Sequence, residues 1–159
     1  NRGCNIAEDV TYSGTVAAAM EAALLGFPAI ALSQEVPYGR RARWNVAKRF
    51  APGVIRRVLS ISWKRDVFIN VNFPDCPEEE VSGTVAVKQG RRSSGYEILR
   101  VPDPREKGYY LIGTPQRGKT ASRGDADHKA VARGDIAVTP LHVDLTHAGS
   151  LGDFKSLFR

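Results

Sequence analysis

Ser13-Gly14-Thr15-Val16-Ala17-Ala18-Ala19-Met20-Glu21-Ala22-Ala23-Leu24-Leu25 leads into Gly26-Phe27-Pro28 and then Ala29-Ile30-Ala31-Leu32-Ser33. From Thr15 to Leu25 nearly every residue is a good helix former. Thr11 or Ser13 can serve as the N-cap, and Gly26 followed by Pro28 is a stop signal. The Ala29–Ser33 run is short and continuously apolar, as expected of a strand buried on both faces. Helix, tight turn and buried strand make the back end of a βαβ unit. The reading is therefore an α/β fold whose front strand is expected just ahead of Asn1.

Downstream, Arg40 to Leu59 reads as a second helix. Trp44, Ala47, Phe50, Ala51, Val54, Ile55 and Val58 supply its apolar face, with a kink or break expected at Pro52. The arginines and lysines on its other side read as a solvated face. Val67 to Phe73 is a strand closed by Pro74. Beyond it the texture changes. Thr84–Lys88, Tyr96–Val101 and Tyr109–Gly113 are short β-like runs separated by Gly, Ser and Pro. They predict an antiparallel β arm over residues 84–122, appended to the α/β core and ending in the polar, basic Gln116–Gly124 loop. Asp127 is expected to cap a short helix, His128 to Arg133. Ile136–Leu141 is the last strand, and Leu151–Phe158 a weak terminal helix.

The 159 residues make one domain, 1–159, large enough to bury a core. A hydrophobic fraction of 42% and a charged fraction of 25% exclude disordered and collagen-like classes. No apolar run approaches the roughly 20 residues that a membrane helix needs, so no membrane partner is expected. Cys4 and Cys76 form no CxxC pair, which argues against zinc, and a reducing cytoplasm is the simpler setting. The formal net charge of +6 favours an anionic partner, with solubility alone as the bland alternative.

Immediately before the first helix lies the loop Asn1-Arg2-Gly3-Cys4-Asn5. Backbone N–H groups at a helix start lack intrahelical partners, and the macrodipole adds positive charge there, which together suit a phosphate. Ser13, Gly14 and Thr15 alone read as a plain N-cap. With the Asn-x-Gly-x-Asn loop ahead of them, the site reading is preferred. Gly3 permits a turn that a side chain would obstruct, and both asparagine amides are neutral oxygen donors suited to a hard cation or a phosphate-bound water. Asp125, Asp127 and His128 form an acidic cluster with a histidine, for which capping and turn roles are favoured over magnesium binding or general-base work. His142 and His147 lack the spacing of a zinc helix and read as surface or capping residues. Lys88–Arg92 and Arg117–Lys119 are basic turns without a P-loop signature, and Ser13 lacks a G-x-S-x-G elbow.

These stretches together resemble the SurE (survival protein E) family of metal-dependent 5′/3′-nucleotidases. The likeness begins with Asn1–Asn5, Asp9-Val10, Tyr12–Val16 and Gly26–Ser33. It continues in family order through Asn70-Val71-Asn72-Phe73-Pro74, Lys88–Arg92, Asp103-Pro104-Arg105, Tyr109-Tyr110, Asp127–Val131, Gly134 and Val138–Leu141. The resemblance implies a Rossmann-like three-layer core, incomplete at its N-terminus, and hydrolysis of nucleoside 5′- and 3′-monophosphates by metal-activated water. It maps Asn1 to a ligand of one Mg²⁺ or Mn²⁺ ion, and Asn5, Ser13, Gly14 and Thr15 to the phosphate. The family's aspartate pair and serine ligand would lie upstream of Asn1, so residues 1–159 alone are expected to be inactive. It also implies a homodimer or homotetramer built partly by exchange of the β arm. The family commonly has glycine where this chain has Ala7 and Ala22, and Ala7 is expected to alter the loop that places Asn5. The alternative reading is a non-catalytic, basic, oligomeric module binding RNA or polyphosphate through Arg91, Arg92, Arg117 and Lys119.

Overall fold

The computed structural model describes residues 1–62, 64–91, 98–102, 108–113 and 125–159. A 3-10 helix over Ala7–Tyr12 leads into α1 (Gly14–Leu24), which is followed by β1 (Ile30–Gln34), α2 (Trp44–Leu59) and β2 (Val67–Phe73). Then come a 3-10 turn at Glu78–Glu80, β3 (Gly83–Ala86), β4 (Ile98–Val101) and β5 (Tyr109–Ile112). The described chain closes with α3 (Asp127–Ala132), β6 (Asp135–His142) and α4 (Ala148–Leu157). The central sheet has strand order β1-β2-β6-β3, with β1 parallel to β2, β6 antiparallel to β2, and β3 parallel to β6.

Side chains of successive strand residues point to opposite faces of a sheet, and β2 assigns the layers by that rule. Ile69, Val71 and Phe73 face α2, packing with its Val46, Val54 and Val58. Phe68 faces the other way, against Val16, Ala19 and Ala23 of α1 and Ala31 of β1. On that second side α3 packs Ala130 and Val131 against Ala137, Ile6 and Val87. Helices therefore cover both faces, which makes the three-layer α/β core that the family resemblance implies. Fully burying a side chain such as Phe68 or Ile136 contributes about 1.5–3 kcal/mol, so β2 and β6 anchor the fold.

Several boundaries move. The second helix begins at Trp44 rather than Arg40 and continues unbroken through Pro52. Pro52 and Lys48, whose carbonyl loses its helical donor, both lie on the exposed side, where water can satisfy that carbonyl. The apolar stripe thus stays seated on the sheet without interruption. The β arm does not begin at Thr84, because Gly83–Ala86 is the edge strand of the core sheet in parallel register with Asp135–Val138. Val85 and Val87 pack with the α3 cluster, which ties this segment to the core. The arm that remains is an antiparallel ribbon in which Ile98 pairs with Ile112 and Val101 with Tyr109. Other parts of the predicted arm, including Tyr96, Asp103-Pro104-Arg105 and the predicted Gln116–Gly124 loop, lie outside the described residues.

Candidate active site

Asn1 to Gly3 run beside the end of β1 as a short parallel extension of the sheet. The main-chain nitrogen of Asn1 donates to the Leu32 carbonyl at 2.8 Å, and its carbonyl accepts from the Gln34 N–H at 3.0 Å. The Gly3 N–H donates to the Gln34 carbonyl at 2.8 Å. The exposed side chain of Asn1 donates from Nδ2 to the Gly3 carbonyl at 2.9 Å, leaving Oδ1 as its ligand-capable atom. Gly3 then turns with φ of +98°. A Cβ there would meet nothing within 4 Å, so the left-handed backbone, not crowding, is what asks for glycine.

Asn5 is buried and gripped on all sides. Its N–H donates to Asn72 Oδ1 at 2.8 Å, and its carbonyl accepts from Asn70 Nδ2 at 2.7 Å and Asn72 Nδ2 at 3.1 Å. Its own Nδ2 donates to Ser33 Oγ at 2.6 Å. Asn70 and Asn72 occupy the face of β2 that carries Phe68, and both are wholly buried. Their roles escaped the sequence reading, because polar residues alternating with Ile69, Val71 and Phe73 look like the wet side of a half-buried strand. Two asparagines spaced two apart on a strand buried on both faces were the available signal.

Two residues beyond Asn5, Ala7 has φ of +51°, the left-handed conformation that glycine favours. The loop therefore turns at Ala7 through a left-handed backbone. Two hydrogen bonds hold it there. The Ala7 N–H donates to Asp127 Oδ2 at 2.9 Å, and Gln89 Nε2 donates to the Ala7 carbonyl at 2.8 Å.

The 3-10 helix Ala7–Tyr12 carries the chain from this loop to the start of α1. There Ser13 is the N-cap, its Oγ accepting from the Val16 N–H at 3.1 Å and its carbonyl from the Ala17 N–H at 2.9 Å. The N–H groups of Gly14 and Thr15 have no acceptor within the helix. Asn1 and Asn5 thus share the end of β1, and the Ser13–Thr15 turn is joined to them through the 3-10 helix.

Asp125 parts from the acidic cluster on folding, while His128 Nδ1 stays 3.3 Å from Asp127 Oδ1. Asp125 takes a bidentate pair with Arg133, Oδ1 to Nη1 at 2.7 Å and Oδ2 to Nη2 at 3.1 Å. That guanidinium holds its carboxyl below the usual carboxylate range. Asp127 is not the N-cap of α3. Ala126 holds that position, and Asp127 is the first helical residue, fully buried. Its carboxylate faces inward because it accepts from three backbone N–H groups, those of Ala7, Gly90 at 2.9 Å and His128 at 2.7 Å. His142 and His147 are local turn and helix-start residues, as predicted, bonded to Asp144 and Ser150. Arg91 is exposed in the segment after β3, while Arg92, Arg117 and Lys119 lie outside the described residues.

Beside the loop, at the carboxyl ends of the parallel pair β1 and β2, lies a cavity of about 750 Å³. Cys4, Ile6 and Asp9 wall it on the loop side, Glu35 and Asp75 follow the two strands, and His128 closes it from α3. This is where ligands bind in open α/β sheets. Cys4 and Cys76 also line it. Burial first, and then the carboxylates of Glu80, Asp75 and Glu35, push the Cys76 thiol up. Cys76 is thus a poor nucleophile at neutral pH.

Among the described residues no three His, Cys, Asp or Glu side chains are placed to hold a metal ion. Asn1 offers one neutral oxygen, whereas a hard divalent cation takes about six ligands, water included. These residues fit one position of a coordination shell, not a whole one.

A family model described as "Survival protein SurE" matches residues 1–96. The chain is 49% identical over 158 residues to the 5′-nucleotidase SurE of Paramagnetospirillum magneticum, covering 99% of this chain and 60% of that protein. It is 46% identical over 156 residues to the 5′-nucleotidase SurE of Geobacter sulfurreducens, covering 98% of this chain and 59% of the relative. A crystal structure of the SurE protein from Aquifex aeolicus superposes with a TM-score of 0.82 at 34% identity, over 100% of this chain and 63% of that one. The chain therefore spans about 60% of the length of the curated relatives it matches.

Proposed function

The chain belongs to the SurE family, and from that premise we propose that the complete protein is a metal-dependent phosphomonoesterase acting on nucleoside 5′- and 3′-monophosphates. The observation that carries the reading is identity of 46–49% along nearly the whole chain to proteins named 5′-nucleotidase SurE. The N-x-G-x-N loop and the Ser-Gly-Thr helix start stand intact within the matched segment.

In this reading the N–H groups of Gly14 and Thr15, with the hydroxyls of Ser13 and Thr15, hold the phosphate oxygens. They are pre-aligned by the helix and stabilise charge as it develops on those oxygens. Asn5, whose main chain Asn70 and Asn72 hold and whose Nδ2 donates to Ser33, would present its side chain toward the phosphate. Asn1 Oδ1 supplies one ligand to a Mg²⁺ or Mn²⁺ ion, whose contribution when bound is a more acidic water. The 750 Å³ cavity next to Cys4 and Ile6 has room for the nucleoside, and its carboxylates repel the phosphate toward the helix end. We further propose a cytoplasmic homodimer or homotetramer, with the apolar ribbon and α4 as its contacts.

The test is phosphate release from nucleoside monophosphates by the complete protein, with and without chelator. Asn1→Ala and Thr15→Ala are each expected to lower turnover at least a hundredfold while leaving the fold intact by circular dichroism. Residues 1–159 alone are expected to release negligible phosphate. Wild-type turnover in both variants would overturn the site assignment. Tight RNA or polyphosphate binding that weakens steeply with salt, with no metal-dependent hydrolysis, would favour the binding module instead.

A further inference from the structure

The residues that hold the left-handed turn at Ala7 come from distant parts of the chain. Gln89 and Gly90 follow β3, where the chain leaves the core sheet toward the β4–β5 ribbon, and Asp127 opens α3. Gln89 Nε2 donates to the Ala7 carbonyl at 2.8 Å, and Asp127 Oδ2 accepts the Ala7 N–H at 2.9 Å. The same carboxylate, through Oδ1, accepts the Gly90 N–H at 2.9 Å, while the Asp127 N–H donates back to the Lys88 carbonyl at 3.0 Å. Lys88 also forms a parallel bridge with Ala126. Space at this junction is minimal. A Cβ on Gly90 would lie 2.0 Å from His128 Nδ1 and 2.8 Å from Asp127 Oδ1.

Alanine disfavours the left-handed region that glycine enters freely. With alanine at position 7, the turn depends on outside support to a degree that glycine would not require. We propose that Gln89 and Asp127, braced by Gly90, are positioning residues for Asn5: they clamp Ala7 in its left-handed turn, so that the root of the β ribbon sets how the phosphate loop is presented. The proposal rests on the nucleotidase reading for its effect on turnover, but not for its effect on the loop. None of these residues touches the reacting atoms. Their action passes through the Asn5–Ile6–Ala7 backbone, whose other end is fixed by Asn70 and Asn72.

The clamp predicts a specific rescue. Gln89 is exposed, so Gln89→Ala is expected to fold. In the complete protein it should lower kcat about threefold to tenfold, the range one neutral hydrogen bond carries, and speed amide exchange across residues 4–9. Adding Ala7→Gly, which lets position 7 keep a left-handed φ unaided, should restore most of the loss in both readouts. Gly90→Ala, which drives a Cβ into His128 and Asp127, should reproduce the faster exchange from the other side of the junction. A Gln89→Ala variant with unchanged exchange over residues 4–9, or a loss of protection that Ala7→Gly does not repair, would overturn the proposal. If the wild type releases no phosphate, the nucleotidase reading fails, while the exchange measurements still decide the clamp.

Discussion

Asn72 commits both ends of its amide to a single neighbour, accepting the Asn5 N–H and donating to the Asn5 carbonyl. Both groups are buried, so removing the amide leaves a main-chain donor without a partner in a site closed to water. Such a loss costs about 1–3 kcal/mol. Asn72→Ala is accordingly expected to lower unfolding free energy by about that amount in urea titrations, and to lower phosphate release by more than the global loss explains. Ala7 and Gly3 sit at the opposite extreme of size. Both take a left-handed φ, +51° and +98°, and the main chain of Ala7 is in addition hydrogen-bonded to Asp127 and Gln89. At this scale the sequence pointed to Gly3 by residue type. The strain at Ala7 was visible only as a departure from the glycine expected of the family.

At the scale of elements, α2 carries its apolar stripe through Pro52 without a break. Val46, Val54 and Val58 on the buried side hold both halves of the helix to β1 and β2, while the proline and the surrounding Lys48, Arg49, Arg56 and Arg57 face solvent. Proline inside a helix costs up to about 3 kcal/mol, through the missing donor and the clash one turn back. Pro52→Ala is therefore expected to raise the midpoint of thermal unfolding, with a stability gain of about 1–3 kcal/mol and no change in activity. β2 teaches the converse. Its alternation of apolar and polar residues is what a strand with one wet face would show, yet both faces are covered. Period-two patterning reports which residues share a face but not what covers that face, because the covering layer arrives from elsewhere in the chain.

For the whole molecule, the described ribbon and the terminal helix contribute no buried residue. Every residue of β4 and β5 is exposed, including Tyr109, Tyr110, Leu111 and Ile112, and α4 buries none of its residues while presenting Phe154 and Leu157. Apolar surface of this kind is characteristic of contact sites. The chain is expected to self-associate, with a sedimentation coefficient that rises with concentration. Tyr110→Asp with Ile112→Asp in the ribbon should shift it toward the monomer without unfolding the core.

Local sequence alone determined the α/β class, the helix–turn–strand unit at residues 13–33, most strand positions and the candidate phosphate-binding turn. Those features follow from residue spacing, capping and glycine placement, which act over a few residues. The reading of Asn1, Asn5 and Ser13–Thr15 as a site likewise came from neighbouring residues and from the family resemblance. Only the tertiary structure decided that β3 belongs to the core, that Asp127 points inward rather than capping its helix, and that Asn70, Asn72 and Gln89 hold the Asn5 loop. Each of those outcomes joins residues separated by tens of positions, through hydrogen bonds that buried main-chain groups require and that no local pattern specifies.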